Sequence, residues 1–193
     1  RLICTMRFQD PVPLEYADPT AASARVDSIF NDKDGLVIGT VDADYEVASF
    51  AYDAAGKLIQ TTRFGKIWSL DSSSYNFGDI SFDDVMEQID SDPVRDPSSD
   101  IHEYNFYDAE GRVTGAVDGE NYYTQTTYDR NGNVASIRRY LERAVKADDG
   151  AFVLPTPNSG DQVTTYGYNQ LGQLVSEIGS DGTLTTHSYD ANG

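Results

Sequence analysis

The sequence predicts an all-β protein built from tandem antiparallel hairpins, and three observations lead to this prediction. A short phrase, Tyr-Asp-x-x-Gly-x-Leu/Val, recurs along the chain in six copies of varying completeness. Neighbouring copies are 21 residues apart in three cases, and a fixed spacing of this size is typical of a repeat architecture. The segments between copies are rich in Thr and Tyr, which favour strands. The copies begin at Asn31, Tyr52, Tyr107, Tyr128, Tyr168 and Tyr189.

The first element of each repeat is a turn. In the copy that begins at Tyr107, the Asp108 side chain can accept hydrogen bonds from backbone N–H groups nearby, and Gly111 can supply the positive φ that ends the turn. We therefore expect the repeated residues to have structural roles in turns. They are Tyr52, Asp53, Gly56, Tyr107, Asp108, Gly111, Tyr128, Asp129, Gly132, Tyr168, Gly172, Tyr189 and Asp190.

Two strands complete each repeat. Residues 112–117 form the first strand, Asp118-Gly119 marks a second turn, and residues 121–128 return to the next copy. Apolar residues six and ten positions after each start share strand parity, so we expect them to form a ladder on one face. Joined hairpins of period 21 would then form a continuous curved sheet. The ladder residues are Val37, Val41, Leu58, Val113, Val117, Val134, Leu174 and Ile178.

One insertion is predicted to carry a helix. The interval from Tyr52 to Tyr107 exceeds 21 residues by 34, which places an insertion near 65–100. Apolar residues at 82, 85, 86 and 89 follow helical spacing, and Ser81 with Asp84 resembles a capping box. The pattern predicts one short helix near 82–90, followed by an acidic loop over 90–100.

A second insertion is predicted near 141–161, because the interval from Tyr128 to Tyr168 exceeds 21 residues by 19. We expect a long strand over 133–145 and then a loop over 147–161. Residues 1–30 depart from the pattern and form either an irregular segment or a partial repeat. The predicted repeat domain therefore covers 31–193, as a piece of a longer protein.

The charge of the chain excludes several classes of partner. The formal net charge is −18, which disfavours binding to a nucleic-acid backbone or to an anionic membrane surface. The sequence has no run of about 18 apolar residues, so it predicts no membrane span.

The search for chemistry predicts no catalytic residues and no cofactor. His102 and His187 lack partners at metal-ligand spacing, and a nucleophilic role for Cys4 is disfavoured because it has no assigned partner. Most carboxylates are explained by turns. Calcium is the exception that we keep open, because carboxylates are its usual ligands. The weak candidates lie in the acidic insertion: Asp90, Asp92, Asp96 and Asp100.

Tyrosines outside the motif form a second group of candidates. An exposed aromatic ring beside Thr and Asn is suited to stacking on a sugar, and cross-strand packing between repeats is the alternative role. The ligand-facing candidates are Tyr104, Tyr122, Tyr123 and Tyr166.

The repeated Tyr-Asp-x-x-Gly-x-Leu phrase, with an Asp-Gly turn and Thr-rich return strands, resembles the YD repeat of the Rhs family. The resemblance covers about residues 31–193 without the insertions. It implies a β-sheet strip of the kind that forms hollow shells in bacterial Rhs and Tc-type toxins and in animal teneurins. Similar repeats occur in giant bacterial surface proteins. The family's Asp-Pro-x-Gly-Leu cleavage motif has no match here.

Two functions follow from this resemblance as expectations. The first is a non-catalytic scaffold in a secreted bacterial protein whose shell encloses or presents a toxin. The second is an adhesion module of a surface protein that binds carbohydrate or protein, with calcium as a potential requirement. The implied partners are other repeats of the same longer chain, and an enclosed toxin domain or a surface glycan.

Overall fold

The predicted all-β class is confirmed in the computed structural model, which describes residues 3–8, 24–42, 44–66, 80–147 and 150–190. Within these ranges the chain forms antiparallel strands, one α-helix and a short 3₁₀ helix at Pro97–Ser99. It divides into two compact units, Arg1–His102 and Glu103–Gly193. The boundary falls inside the domain that was predicted over 31–193.

The first unit contains an antiparallel meander in which each strand pairs with the next one in sequence. Strand pairing extends into residues 1–30, so part of this segment is regular. The loop over 9–23 lies outside the described residues. The strands are β1 (Ile3–Phe8), β2 (Ala24–Asn31), β3 (Val37–Val41), β4 (Val47–Tyr52) and β5 (Leu58–Arg63).

The helix α1 (Phe82–Ser91) covers one face of this meander, and its prediction from helical spacing is confirmed. Its capping box is present, because Ser81 Oγ accepts from the Asp84 N–H and Asp84 Oδ2 accepts from the Ser81 N–H. The apolar side of α1 enters the core of the unit. That core consists of Phe30, Val41, Val47, Phe82, Val85 and Ile89.

The second unit is also an antiparallel sheet, with the strand order β6-β7-β8-β9-β12-β13-β14. A two-stranded ribbon, β10 (Val145–Lys146) with β11 (Phe152–Val153), lies in the second insertion. The sheet strands are β6 (Ile101–Tyr107), β7 (Val113–Val117), β8 (Tyr122–Tyr128), β9 (Val134–Arg143), β12 (Gln162–Tyr168), β13 (Leu174–Ile178) and β14 (Leu184–Thr186).

The long strand predicted over 133–145 corresponds to β9, but the loop predicted over 147–161 contains β11. The ribbon is short because only Val145 and Lys146 pair with Val153 and Phe152. Phe152 packs on aromatic residues of the core, which holds the ribbon in place.

The core of the second unit is unusually aromatic. Tyr123 and Tyr140 are each 6% exposed and lie with Val117 and Ala144 in one cluster. Their ring centroids are 5.2 Å apart. Tyr hydroxyls in a core need a polar partner, and Tyr140 finds one by donating to Gln125 Oε1 at 3.0 Å.

The predicted apolar ladder holds at some positions and not at others. Val41 and Val117 are each 1% exposed, whereas Ile178 is 46% exposed, so its expected place in a buried ladder is wrong. The reason is local: Ile178 pairs with Leu184 on β14, a three-residue strand whose side chains are all exposed.

Candidate functional site

The repeat turn has a specific hydrogen-bonding pattern. Asp129 Oδ1 accepts from the N–H groups of Asn131 and Asn133 at 2.8 and 2.9 Å. The Gly132 N–H donates to the Asp129 carbonyl at 3.1 Å, and the Asp129 N–H donates to the Asn133 carbonyl at 2.8 Å. One side chain therefore organises the whole turn by satisfying two backbone donors.

The same pattern recurs at the other repeat starts. The side-chain oxygen of residue i accepts from the N–H groups of residues i+2 and i+4, and glycine at i+3 has positive φ. At Asp108 the Arg112 side chain adds a bond to Oδ2 at 2.7 Å. The other turn acceptors are Asp32, Asp53 and Asn169. The glycines are Gly35, Gly56, Gly111, Gly132 and Gly172.

The second turn of each repeat uses the same scheme without a fixed glycine. Asp118 accepts from the N–H groups of Glu120 and Tyr122 at 3.0 and 2.9 Å. The residue with positive φ is Asn121, at 66°, and not Gly119 of the predicted Asp-Gly turn. The equivalent residue after Asp42 is Tyr45, at 63°. Sequence reasoning missed both because it sought a glycine.

The repeat tyrosines link successive repeats. Tyr52 Oη donates to the Val37 carbonyl at 2.8 Å, and Tyr128 Oη donates to the Val113 carbonyl at the same distance. Tyr189 Oη donates to the Leu174 carbonyl at 2.7 Å. Each acceptor lies fifteen residues back, six residues after the previous repeat start. These bonds were not predicted, although they occur at each of the three starts that follow a 21-residue interval.

The remaining motif residues are placed as follows. Tyr107 and Tyr168 end strands β6 and β12. Asp190 is exposed, and the turn expected after it extends into residues that the structure does not describe.

Several turn carboxylates have lowered pKa values. The pKa of Asp129 is lowered by the Asn133 side-chain hydrogen bond and by backbone donors in the turn. Backbone and hydroxyl donation by Thr183 lowers the pKa of Asp181. Burial raises the pKa of Asp108, but hydrogen bonds and the charge of Arg112 outweigh burial, and the net direction is downward. These groups are ionised when they hold their turns.

The four candidate tyrosines do not form one site. Tyr123 is buried, so the expectation that it is exposed is wrong; its ring fills the core under β7 and β8. Tyr104 packs edge-on against Phe152 at 4.8 Å and accepts from Lys146 Nζ at 2.6 Å. Tyr122 lies under Arg143, and Tyr166 lies half-buried on β12. Cross-strand packing accounts for much of this arrangement.

The acidic insertion is organised by its own donors. Asp92 Oδ1 accepts from the Val94 N–H, and Asp96 Oδ1 accepts from the Ser98 N–H, each at 2.9 Å. Asp100 accepts from the Gly65 N–H and pairs with Arg95, while Asp90 is exposed on α1. Among the described residues, no three His, Cys, Asp or Glu side chains come together as a metal site. Calcium binding here stays a prediction.

The insertion surface of the second unit is basic. Residues 130–146 contain five Lys or Arg residues and one acidic residue, in a chain with a net charge of −18. Sequence reasoning missed this surface because it treated the chain's charge as a whole.

Comparison with known proteins identifies the fold. No family model matches the chain, and no curated protein matches it. A crystal structure of TcdB2-TccC3-TEV has a TM-score of 0.53 at 13% identity, over 86% of this chain. The Tc holotoxin pore of Photorhabdus luminescens, with a mutated TccC3, has a TM-score of 0.52 at 14% identity, over 92%.

This chain spans 7% of each of those two chains. At such identities the likeness shows a shared fold, an all-β sheet of the kind found in Tc toxin chains. In the part of the chain that the structure describes, no helix has the length and apolar character needed to cross a membrane.

Proposed function

We propose that this chain is a non-catalytic wall segment of a larger secreted bacterial repeat protein of the YD/Rhs type. The observation that carries the proposal is the tyrosine-to-carbonyl bond found in three successive-repeat pairs. Each bond joins the start of one repeat to the first strand of the previous one. A hairpin array with such links grows by addition of identical units, which suits a wall.

The use of polar side chains supports the same proposal. The oxygen atoms of Asp53, Asp129 and Asn169 accept backbone N–H bonds within their own turns. Side chains committed in this way have structural roles. The likeness to Tc toxin chains is compatible with a wall that encloses or presents a toxin.

Protease protection of the full-length protein tests this role. A domain enclosed by the wall should resist digestion in the intact protein and should become sensitive when the wall is opened by denaturant. Equal sensitivity of all domains in the intact protein would contradict enclosure.

An adhesion module is the second candidate, and the ordered insertions favour it. One insertion carries α1 and the other carries the β10–β11 ribbon, so both present structured surfaces beyond the repeats. Binding of the 193-residue chain to a glycan array, with and without calcium, tests this candidate. Saturable binding of a defined glycan would favour adhesion over a wall.

A further inference from the structure

We propose that the β9 surface around Arg139 and Arg143 is a docking site for an extended acidic peptide segment of a partner protein. The inference is independent of the proposed wall function, because it concerns an outward surface of an insertion.

The first step is a bulge in β9. Arg139 pairs with Thr124, and Arg143 pairs with Tyr122 on the same neighbouring strand. Four residues of β9 therefore lie opposite two residues of β8, so the extra residues leave the regular ladder. Bulges of this kind redirect side chains and are frequent beside functional sites.

The bulge brings the two arginines close together. Because their partners are two residues apart on β8, the Cα atoms of Arg139 and Arg143 are separated by about 7 Å, the rise of two strand residues. Arg143 Cζ also lies 5.1 Å from the centre of the Tyr122 ring, which orients its guanidinium. Both arginines are exposed.

A buried carboxylate holds the bulge. The Asp161 side chain is 0% exposed and accepts from Arg138 Nη1 at 2.9 Å. It also accepts from the N–H groups of Leu141 and Asn158 at 3.1 and 3.0 Å. The second insertion thus fixes the conformation of β9 at the point where the arginines converge.

Exposed aliphatic side chains surround the arginines. Leu141 in the bulge is 63% exposed, and the paired residues Val145 and Val153 of the ribbon are 61% and 63% exposed. The opposite face of the ribbon is occupied, since Lys146 and Phe152 both contact Tyr104. An apolar surface with two cations next to it is common where protein segments dock.

Charge complementarity identifies the partner as acidic. The basic surface lies in a chain whose net charge is −18, so it is a local exception in a negative field. A long polyanion, such as nucleic acid or a sulfated glycan, would be repelled by the rest of the chain and would leave the aliphatic groups unused. A short peptide with carboxylates and aliphatic side chains on one face satisfies both features.

The geometry specifies the spacing of the peptide. Residues i and i+2 of an extended strand point to the same side and are about 7 Å apart, which matches the two arginines. The test probe is therefore acetyl-Leu-Thr-Glu-Thr-Glu-Thr-Leu-amide, with its apolar and acidic side chains on one face. Its control has adjacent glutamates, Leu-Thr-Glu-Glu-Thr-Thr-Leu, which places them on opposite faces.

Titration of the 193-residue chain with the labelled probe, followed by fluorescence anisotropy, tests the site. We expect saturable binding that is weakened at least about tenfold by Arg139→Glu or by Arg143→Glu, since each removes a charge-assisted contact. Leu141→Ser should also weaken binding. Arg130→Glu is the matched control: it makes the same charge change in an exposed turn outside the site, and binding should change less than about twofold.

Circular dichroism of each variant verifies that it is folded. The proposal is overturned if the probe does not bind, or if the control peptide and the Arg130→Glu variant behave like the probe and the Arg139→Glu variant. Tighter binding of a heparin oligosaccharide, unaffected by Leu141→Ser, would identify a polyanion site instead. A dimer in sedimentation that Arg139→Glu dissociates, without probe binding, would identify a second copy as the occupant.

Discussion

Tyr128 Oη donates a 2.8 Å hydrogen bond to the backbone carbonyl of Val113, fifteen residues earlier in the chain. The bond crosses from the start of one repeat to the first strand of the repeat before it. Equivalent bonds form from Tyr52 and Tyr189. A 21-residue period places a tyrosine opposite the carbonyl six residues into the previous repeat, so period and bond are two aspects of one geometry.

Removal of this hydroxyl should weaken the sheet. In Tyr128→Phe the ring remains under Arg112, whose Cζ lies 4.5 Å from the ring centre, and only the hydroxyl bond is lost. We expect the free energy of unfolding to fall by about 0.5–1.5 kcal/mol, nearer the lower value at this exposed site. Urea denaturation measures the change.

Tyr122→Phe is the matched control for that experiment. Its ring also lies under an arginine, but among the described residues its hydroxyl makes no hydrogen bond. Equal losses of stability in the two variants would mean that the bond to the carbonyl contributes nothing.

The turn glycines should be intolerant of branched side chains. Gly111 and Gly132 have φ values of 86° and 87°, a region in which a β-branched residue is strained. Gly111→Val or Gly132→Val should destabilise the chain by about 1 kcal/mol or more. Gly119→Val is the control, since Gly119 lies in a turn without positive φ. An unchanged melting temperature in both test variants would refute the turn assignment.

The turn carboxylate is needed as an acceptor more than as a charge. Asn169 accepts the same two backbone bonds that Asp129 accepts, and its amide donates to Gln173 Oε1 at 2.7 Å. Asp129→Asn should therefore lose less than about 0.5 kcal/mol, because Asn133 can rotate its amide in the same way. Asp129→Ala should lose about 1 kcal/mol, since two donors lose their partner. Denaturant unfolding compares the two variants, and equal losses would contradict the acceptor argument.

Acid should remove part of the stability. The folded pKa values of Asp84, Asp96, Asp129 and Asp181 are lowered, so the folded state binds fewer protons than the unfolded chain as pH falls through the unfolded value near 3.9. Their contribution is complete above about pH 5 and declines below it. Melting temperatures between pH 6 and pH 3 should show this loss, and Asp129→Asn should reduce it.

The helix of the first unit should depend on a glycine of the sheet. A Cβ added at Gly39 would lie 2.1 Å from the Phe82 ring, so even alanine cannot fit without movement of α1. Gly39→Ala should cost about 1–3 kcal/mol by overpacking. Adding Phe82→Leu should restore part of that loss if the ring is the obstacle. Thermal denaturation measures both, and a double variant no better than the sum of the single changes would exclude this contact.

The sequence predicted the parts of the fold that depend on local chemistry. The spacing at Phe82, Val85 and Ile89 predicted α1, and the repeated phrase predicted hairpins with Asp and Gly in their turns. These features depend on neighbours a few residues apart, where side-chain and backbone rules are strong.

Features that depend on long-range contacts were not predictable. Tyr123 was expected at the surface because its neighbours are polar, but a register shift in β8 and a facing Tyr140 place it in the core. The β9 bulge depends on Asp161, which is 20 residues from Leu141 and has no local signal. Tyr45 at positive φ shows that the sheet imposes a conformation that local preference disfavours.

Cryo-electron microscopy of the native full-length protein tests the central claim most directly. The wall function predicts a closed hollow body, in which this segment forms part of the sheet and density for another domain lies inside. An extended string of separate domains, with this segment as one of them and no enclosed density, would contradict the wall function and favour adhesion.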